Sequence, residues 1–514
     1  MKKILISMLS LILLTSCHDM LDLNPLDRIS ASTFWMKKED FDMALTSIYS
    51  MRQGSSAMGE TGMWSSGMGF WDCLTDLGHS VLSSEIVSGS ISPSTRSYIS
   101  DVYQNCYAGI TRINLFLREL YKYQGSDFPE FEKKEIEAEA RFHRAFYYFQ
   151  LYNCYGDVPL ILENLTVETM RQPKVDAELV FDQVLRDIDF AIANLNRAAY
   201  RTITGHATLA SAQVLKARML ICKAYGNTGI PDIDMLTQVR DLCLDIEGTG
   251  YYQLSPVFSD LFQTKGQLEN KEIIFSVNFM APNNCTGWDL SYGDWIAASP
   301  LPSFVADFEC TDGLPWGESP LTNLDNPMLN RDPRLAATVF TGLIDFGNGK
   351  THIPVHSFTT GYGIKKFLDP DNLPYGYQTL SGQDAVVSRL SEVLLMYAEA
   401  QNEISGPDTT VYEAINKIRA RVNMPPLPKG LTKSQMREKI RHERKIELAF
   451  EGVRYFDLKR WHIAGKVLNA VTDGIHKYLW EDRYYKWPIP QFEIDVSKGV
   501  LLQNPDYLYT SINN

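Results

Sequence analysis

Apolar residues recur every three to four positions over several long stretches of the chain, the spacing that places them on one face of a helix. The first stretch spans residues 39–51, where Phe41, Leu45 and Ile48 share a face. The same period predicts helices over residues 98–121, 131–155, 177–195, 208–225, 384–404, 411–422 and 432–450. Short polar or glycine-containing breaks separate these helices, so consecutive helices are expected to form hairpins.

A series of helix hairpins predicts a mainly α fold, because one hairpin cannot bury its apolar face alone and must pack against the next. We expect a tetratricopeptide-like scaffold over residues 39–250 and 384–460, although no clean repeat of about 34 residues is visible. Residues 251–383 differ: Gly, Pro, Asn and Trp are frequent there, and one run, 272–279, has strand character. A large loop-rich insertion and an irregular C-terminal tail are therefore predicted, and long loops of this kind often carry function.

The first residues have the pattern of an export signal. Lys2 and Lys3 precede a largely apolar run at 4–14, about eleven residues, which is too short to span a bilayer. Leu14-Thr15-Ser16-Cys17 then resembles the cleavage site of lipoprotein signal peptidase. We predict a signal peptide at 1–17, acylation of Cys17, an extended tether at 18–38 and a single body at 39–514. An ordinary secretory signal followed by a chance cysteine is the alternative.

Composition narrows the possible functions. The net charge of -13 and the absence of a Lys/Arg-rich run argue against nucleic-acid binding. Beyond Cys17, seven cysteines are scattered without a C-x-x-C pair or zinc spacing, so no metal site and no cofactor are predicted. An odd number of cysteines also leaves at least one free thiol. The chain contains no H-E-x-x-H, G-x-S-x-G or G-x-x-x-x-G-K motif, so an enzyme is not expected.

Three carboxylates near the end of the last predicted helix, Glu443, Glu447 and Glu451, offer a glycosidase alternative, because such enzymes use a pair of carboxyl groups. Neighbouring arginines would lower the pKa values of these carboxyls, which opposes a general-acid role. The i,i+3 spacing predicts instead two surface ion pairs, Arg444–Glu447 and Glu451–Arg454, that stabilise the helix.

Two non-periodic segments, 64–79 and 283–295, combine aromatic with polar side chains. Sugars stack their C–H faces on indole or phenol rings and present hydroxyls to carboxylates and amides. We therefore predict a ligand-binding set on these loops, joined by one tryptophan further along the chain. Its members are Trp71, Asp76, Trp288, Tyr292, Asp294, Trp295 and Trp316. Burial of each ring in the packing of its own loop is the alternative.

Several separated blocks resemble the SusD/RagB family in the order of that family, and together they cover the chain beyond its tether. The blocks are EAEARFHRAFYYF (137–149), YGDVPL (155–160), DPRL (332–335), RLSE (389–392), NKIRAR (416–421), RHER (441–444), ELAFEGVRYFDL (447–458), WPIP (487–490) and QNP (503–505). The resemblance implies a SusD-like fold with a helical scaffold and a loop-rich binding face.

The resemblance further implies a lipoprotein of the outer membrane, facing the cell exterior, that binds oligosaccharides and passes them to a SusC-like TonB-dependent transporter. Peptide cargo, as the RagB side of the family implies, is one alternative. A surface glycosidase and a structural subunit that binds only the channel are others. Starch-binding members carry a tryptophan pair before the second long helix, whereas residues 80–90 contain no aromatic residue, which argues against starch.

Overall fold

The computed structural model describes residues 34–53, 68–80, 84–95, 98–198 and 205–508. The predicted signal peptide, Cys17 and most of the predicted tether lie outside these residues. Residues 34–37 precede the first helix, and Phe34 and Trp35 pack against the hydrophobic core.

The first half of the chain folds mainly into helices, and the long ones agree closely with the predicted stretches. Local capping explains where two of them begin: Asp176 accepts a hydrogen bond from the N–H of Glu178, at 2.8 Å, and Thr208 forms a capping box with Ser211. The elements are α1 (Lys38–Ser50), α2 (Gly69–Asp72), β1 (Gly78–Ser80), α3 (Ser84–Val87), α4 (Tyr98–Lys122), α5 (Glu130–Tyr155), α6 (Ala177–Asn194), α7 (Leu209–Ala224) and α8 (Ile233–Gly248).

The middle region consists of short elements joined by irregular chain. The helices are α9 (Thr264–Gln267), α10 (Trp288–Gly293), α11 (Pro302–Asp307) and α12 (Pro333–Thr338). The strands are β2 (Ile273–Val277), β3 (Ala298–Pro300), β4 (Val339–Phe340), β5 (Ile344–Asp345), β6 (Thr351–His352), β7 (Gly363–Ile364) and β8 (Ala385–Arg389). Turns of 3₁₀ helix cover Phe258–Phe262 and Pro370–Asn372.

Longer helices return after β8, and the tail contains only short ones. They are α13 (Leu390–Ser405), α14 (Thr409–Arg421), α15 (Lys433–Glu447), α16 (Arg454–Arg460), α17 (Ala464–Leu468) and α18 (Gln491–Ser497), with 3₁₀ turns at Asp482–Tyr485 and Pro505–Tyr507. The helix predicted over 384–404 therefore begins later, at Leu390, because the preceding residues form β8.

The long helices pack in succession, which gives the predicted tetratricopeptide-like stack. Helix α4 packs on α5, α5 on α6, α6 on α7 and α7 on α8, and α8 then packs on α13, which contacts α14 and α15. Apolar residues of α7, α8, α13, α14 and α15 form one core cluster. A larger cluster joins α1, α4 and α5 to the loop-rich region and the tail.

The strands pair antiparallel and tie the loop-rich region to the scaffold. Strand β1 pairs with β3, with Gly78 opposite Pro300, and β2 pairs with β8, with Ile273 opposite Arg389. Strands β4 and β7, and β5 and β6, form two further pairs. Because β2 lies near the start of the loop-rich region and β8 directly follows that region, their pairing brings these two parts of the chain together at the start of α13.

The C-terminal tail packs against the first half of the chain. The Tyr478 hydroxyl donates to the carbonyl of Gly78 at 2.9 Å, and the Tyr484 hydroxyl donates to the carbonyl of Gly89 at 2.6 Å. Asn504 donates its side-chain N–H to the carbonyl of Tyr155 at 2.9 Å. The tail is therefore an integral part of the larger core cluster.

Glu447 lies at the centre of a buried ion network. Its carboxylate pairs with three arginines from separate segments, Arg334, Arg389 and Arg421, at 3.0, 2.6 and 2.6 Å. The predicted pair with Arg444, one turn away on α15, is therefore wrong. The local spacing was compatible with a surface pair, but Glu447 faces the interior, where the three long-range arginines reach it.

The second predicted pair, Glu451 with Arg454, is also wrong. Helix α15 ends before this segment, and the φ of +65° at Phe450 turns the chain away from helical spacing. Glu451 pairs with Lys366 at 2.6 Å, and Arg454 pairs with Asp76 at 3.0 Å. The Glu451–Lys366 pair thus joins the chain after α15 to the loop-rich region, and the Arg454–Asp76 pair joins α16 to the residues after α2, so neither pair stabilises one helix locally.

All seven cysteines that the structure describes are free thiols, which confirms the prediction of at least one. Five of them are buried, and burial raises the pKa of the Cys154 thiol to about 11. Within the described part of the chain, no helix is long and apolar enough to cross a bilayer.

Candidate functional site

Three of the predicted stacking rings, Trp71, Trp288 and Tyr292, are buried, with exposed fractions of 3%, 1% and 0%. Trp71 lies parallel to Trp487 with ring centroids 5.6 Å apart. Trp288 and Tyr292 pack on Phe367, with centroid distances of 4.8 and 5.7 Å. The expectation that these loop aromatics are exposed is therefore wrong, because their faces contact other rings of the core.

Asp76 is also buried, and its carboxylate is fully engaged by cations. Arg454 donates to both carboxylate oxygens at 3.0 Å, and Lys445 donates to one of them at 2.7 Å. Although burial alone would raise it, the two cations lower the pKa of this carboxyl. Asp76 therefore has the geometry of a structural ion pair that joins the residues after α2 to α15 and α16.

Trp295 differs from the buried rings because it remains partly exposed. It follows α10, and its backbone N–H donates to the carbonyl of Leu290 at 2.8 Å. The next residue, Ile296, has a φ of +50°, which is rare for a β-branched residue, and its side chain is buried. This sharp turn places Ile296 in the core and leaves Trp295 at the surface. Strained backbone of this kind is concentrated at functional sites.

Asp294 fixes the segment that lies beside Trp295. Its carboxylate accepts hydrogen bonds from the N–H of Val355 at 3.1 Å and from Nε2 of His352 at 3.2 Å. Its backbone carbonyl accepts from the N–H of His356 at 3.2 Å. As a result the exposed His356 ring lies 6.2 Å from the Trp295 ring. Asp294, predicted as a ligand contact, instead has the position of a support for this arrangement.

Asp289, at the start of α10, fixes a second segment of the chain, residues 369–383. Its carboxylate accepts from the N–H of Asp369 at 2.9 Å and from the side chains of Asn372, Ser381 and Gln383 at 2.8, 2.7 and 3.0 Å. Burial raises the pKa of this carboxyl to about 6, although the four donors oppose the shift. The tethered segment, 369–383, carries the exposed ring of Tyr377.

Trp295, His356 and Tyr377 together form an aromatic cluster on the loop-rich region. The Tyr377 ring lies 5.2 Å from the Trp295 ring at an interplanar angle of 72°, and 69% of Tyr377 is exposed. Three separate segments supply the rings, and the buried Asp289 and Asp294 hold those segments in place. The aromatic cluster thus offers pre-positioned rings with polar edges to an amphipathic ligand such as a sugar.

Tyr377 and His356 are not among the predicted ligand-binding residues, although the sequence carries one signal for Tyr377. Tyr377 lies in Pro374-Tyr375-Gly376-Tyr377-Gln378, where Pro and Gly predict a surface loop and an aromatic residue is flanked by a polar one. The same criterion led to the prediction of Trp295. His356 has no comparable local signal, because only the hydrogen bonds of Asp294 bring it to Trp295.

Trp316 lies apart from the aromatic cluster. It lines a different cavity, formed by the end of α11, the chain after it and one face of α15. The residues that line this cavity come from 306–316 and 431–442, whereas the rings beside Trp295 belong to His356 and Tyr377. The structure therefore does not bring the seven predicted residues together in one site.

The carboxylates of the glycosidase alternative are not arranged as a catalytic pair. Glu443 and Glu447 are buried, and both pair with Arg334, at 2.5 and 3.0 Å. Although burial opposes the shift, the surrounding arginines lower the pKa of Glu447 well below its usual range. In the described ranges, no group of three or more His, Cys, Asp or Glu side chains is placed to hold a metal ion.

Comparison with protein families identifies two matching family models. The model described as "SusD family" matches residues 271–507, and the model described as "Starch-binding associating with outer membrane" matches residues 26–221. A SusD-like protein of Formosa agariphila is 24% identical, with 95% of each chain covered. A SusD-like protein of Bacteroides ovatus is 23% identical over 80% of this chain and 75% of its own.

Solved structures of the same kind share the fold. A SusD-like carbohydrate-binding protein from Bacteroides fragilis superposes with a TM-score of 0.77 at 26% identity, covering 91% of this chain and 99% of its own. A laminarin-binding SusD-like protein matches with a TM-score of 0.69 at 23% identity, and surface glycan-binding protein A from Bacteroides thetaiotaomicron matches with 0.72 at 19%. Each covers 92% of this chain and 100% of its own.

Proposed function

The chain belongs to the SusD/RagB family, and on that premise we propose that it is a lipid-anchored cell-surface protein that captures oligosaccharides and delivers them to a TonB-dependent transporter of the outer membrane. The family description places its relatives at the outer membrane, and relatives with the same fold are described as carbohydrate-, laminarin- or glycan-binding. The proposal assigns no catalytic step to the protein.

The observation that carries the proposal is the aromatic cluster of Trp295, His356 and Tyr377. A stacked pair of aromatic rings contributes on the order of 0.5–1.5 kcal/mol beyond area burial, and we take the same order for a sugar ring stacked on an aromatic ring. Two such contacts with a few hydrogen bonds support a Kd of roughly micromolar to millimolar, which is about -8 to -4 kcal/mol. Weak binding suits a protein that must release its cargo to a channel.

The test is calorimetric titration with the oligosaccharide that the unaltered protein binds best on a glycan array. We expect Trp295→Ala and Tyr377→Ala each to weaken binding about tenfold, which corresponds to about 1.4 kcal/mol. Tyr251→Ala serves as the control, because Tyr251 is half exposed and outside the cluster. Unchanged binding in both folded cluster variants would remove the cluster from the proposal.

The partner and the cargo require separate measurements. Affinity capture of the native membrane complex should recover a TonB-dependent transporter, and deletion of the chain should slow uptake of the bound oligosaccharide. Release of new reducing ends during incubation with glycans would establish a glycosidase instead. Binding of peptides with no response to any glycan would assign the protein to the peptide-binding side of the family.

A further inference from the structure

The cavity beside Trp316 has the size and lining of a binding site of its own. Its volume is about 770 Å³, within the roughly 300–1,000 Å³ typical of sites for small molecules. One wall is formed by Asp307, Glu309 and Trp316, and the other by Ser434, Glu438 and His442 on one face of α15. An indole ring therefore faces hydroxyl, carboxylate and imidazole groups across a space that can hold a sugar ring.

Trp316 is held in a fixed position by Arg331. The guanidinium lies 5.0 Å from the centre of the Trp316 ring, and Arg331 does not line the cavity, so it supports the ring from behind. Arg331 is itself buried and donates to the carbonyls of Val305, Pro327 and Phe308 at 2.6, 2.6 and 2.7 Å. A ring supported in this way loses little conformational entropy when a ligand stacks on it.

Most charges at the cavity wall are already neutralised. Lys439 pairs with Glu309 at 3.2 Å, and Asp307 forms an ion pair with Lys445. Nε2 of His442 lies 2.8 Å from the carbonyl of Asp307, which requires a proton on Nε2 and leaves Nδ1 as a hydrogen-bond acceptor when the ring is neutral. These groups can accept or donate hydrogen bonds to hydroxyls, but they offer little free positive charge.

Glu438 is the exception, because its charge is only weakly compensated. Its side chain is 71% exposed, and its ion-pair partner, Arg441, lies 3.6 Å away on the same helix. A carboxylate of this kind repels an anionic ligand and attracts an ammonium group. The uncompensated charge at the cavity is therefore negative.

We propose that the Trp316 cavity is a second carbohydrate-binding site, which takes neutral or amino sugars by stacking on Trp316 and excludes acidic sugars through Glu438. It goes beyond the function proposed above, because it places a separate site away from the aromatic cluster. Two sites on one chain would allow one long glycan to be held at two points, which raises the effective affinity without new contacts.

The test uses the full-length protein in which the aromatic cluster is disabled by Trp295→Ala together with Tyr377→Ala. Calorimetry with neutral gluco-oligosaccharides, chitosan hexasaccharide and hexagalacturonate should show residual binding of at least one of the first two and none of the third. Adding Trp316→Ala should weaken the residual binding at least tenfold. Ser434→Trp, at an exposed position of α15, should fill the cavity and weaken the residual binding to the same extent. This variant leaves the contact between Arg331 and Trp316 unaltered.

The variant Glu438→Gln tests whether Glu438 sets the selectivity of the Trp316 cavity between amino sugars and other sugars. It should weaken binding of the chitosan hexasaccharide severalfold and leave binding of neutral oligosaccharides unchanged, whereas Glu413→Gln, at an exposed position on α14, should change neither.

Residual binding that Trp316→Ala and Ser434→Trp leave intact overturns the site. Equal or tighter binding of hexagalacturonate overturns the selectivity. Residual binding of peptides alone overturns the carbohydrate assignment, and glycan binding lost entirely with the cluster variant overturns the second site but leaves the proposed function standing.

Discussion

Trp71 and Trp295 have the same side chain but different surroundings in the fold. Trp71 contacts the rings of Tyr98, Tyr455 and Trp487 in the core, whereas Trp295 lies at a sharp surface turn. Truncation of the first ring therefore removes core packing, and truncation of the second removes a surface contact.

We expect Trp71→Ala to lower the free energy of unfolding by about 3–5 kcal/mol, because a large buried side chain leaves a cavity. Trp295→Ala should lower it by less than about 1 kcal/mol, because the ring is partly exposed. Urea unfolding followed by circular dichroism measures both. A smaller loss for Trp71→Ala than for Trp295→Ala would contradict the burial of Trp71 in the core.

The sequence could not distinguish these two tryptophans. Each lies in a non-periodic segment next to acidic residues, and that local pattern is the same for a ligand contact and for a core ring. Burial of Trp71 depends on Trp487 and Tyr455, which come from the far end of the chain. The residue type and its neighbours along the chain do not predict such long-range contacts.

At the scale of elements, helices with a sustained apolar period were predictable because the period is local. Helix α8 was missed although Leu236, Val239, Cys243 and Ile246 recur at helical spacing, so its signal was present. The short helices α10, α11 and α12 have six residues each, which is too short for an apolar period to be visible. An isolated helix of this length is also not stable by itself. They form because the surrounding chain packs on them.

Glu447 on α15 provides the prediction at this scale. We expect Glu447→Gln to destabilise the protein by about 3–5 kcal/mol, because three buried arginines lose their shared carboxylate. Glu438→Gln on the exposed face of the same helix should change stability by less than about 0.5 kcal/mol. Chemical unfolding at pH 7 of both variants is the measurement, and equal stabilities would contradict the network.

The same carboxylate predicts a dependence on pH. The pKa of Glu447 is well below its ordinary value of 4.5 in the folded protein, so its stabilising effect is complete above about pH 4.5 and is lost as the pH falls further. Stability of the unaltered protein should therefore decline more steeply below pH 4.5 than that of Glu447→Gln. Parallel declines would show that Glu447 titrates alike in the folded and unfolded chains.

At the scale of the whole molecule, the proposed lipid anchor is the feature most independent of the fold. Cys17 lies outside the described residues, and the hypothesis of acylation rests on Leu14-Thr15-Ser16-Cys17 alone. We expect Cys17→Ala to release the protein from the outer membrane, because several acyl chains together supply the membrane affinity. Membrane fractionation after a salt wash measures the change, and the melting temperature of the purified variant should equal that of the parent.

The packing of the tail on the first half of the chain has a consequence for the order in which the protein can fold. A chain that emerges from a membrane pore with its N-terminus first presents Trp71, Tyr98 and Tyr155 long before residues 478–507 arrive. Until then Trp71 lacks its partner ring Trp487, and the carbonyl of Tyr155 lacks the donor of Asn504. For a chain exported as proposed, the larger core can therefore close only after residues 478–507 have crossed, and we expect a stalled chain to be more open to proteases than a released one.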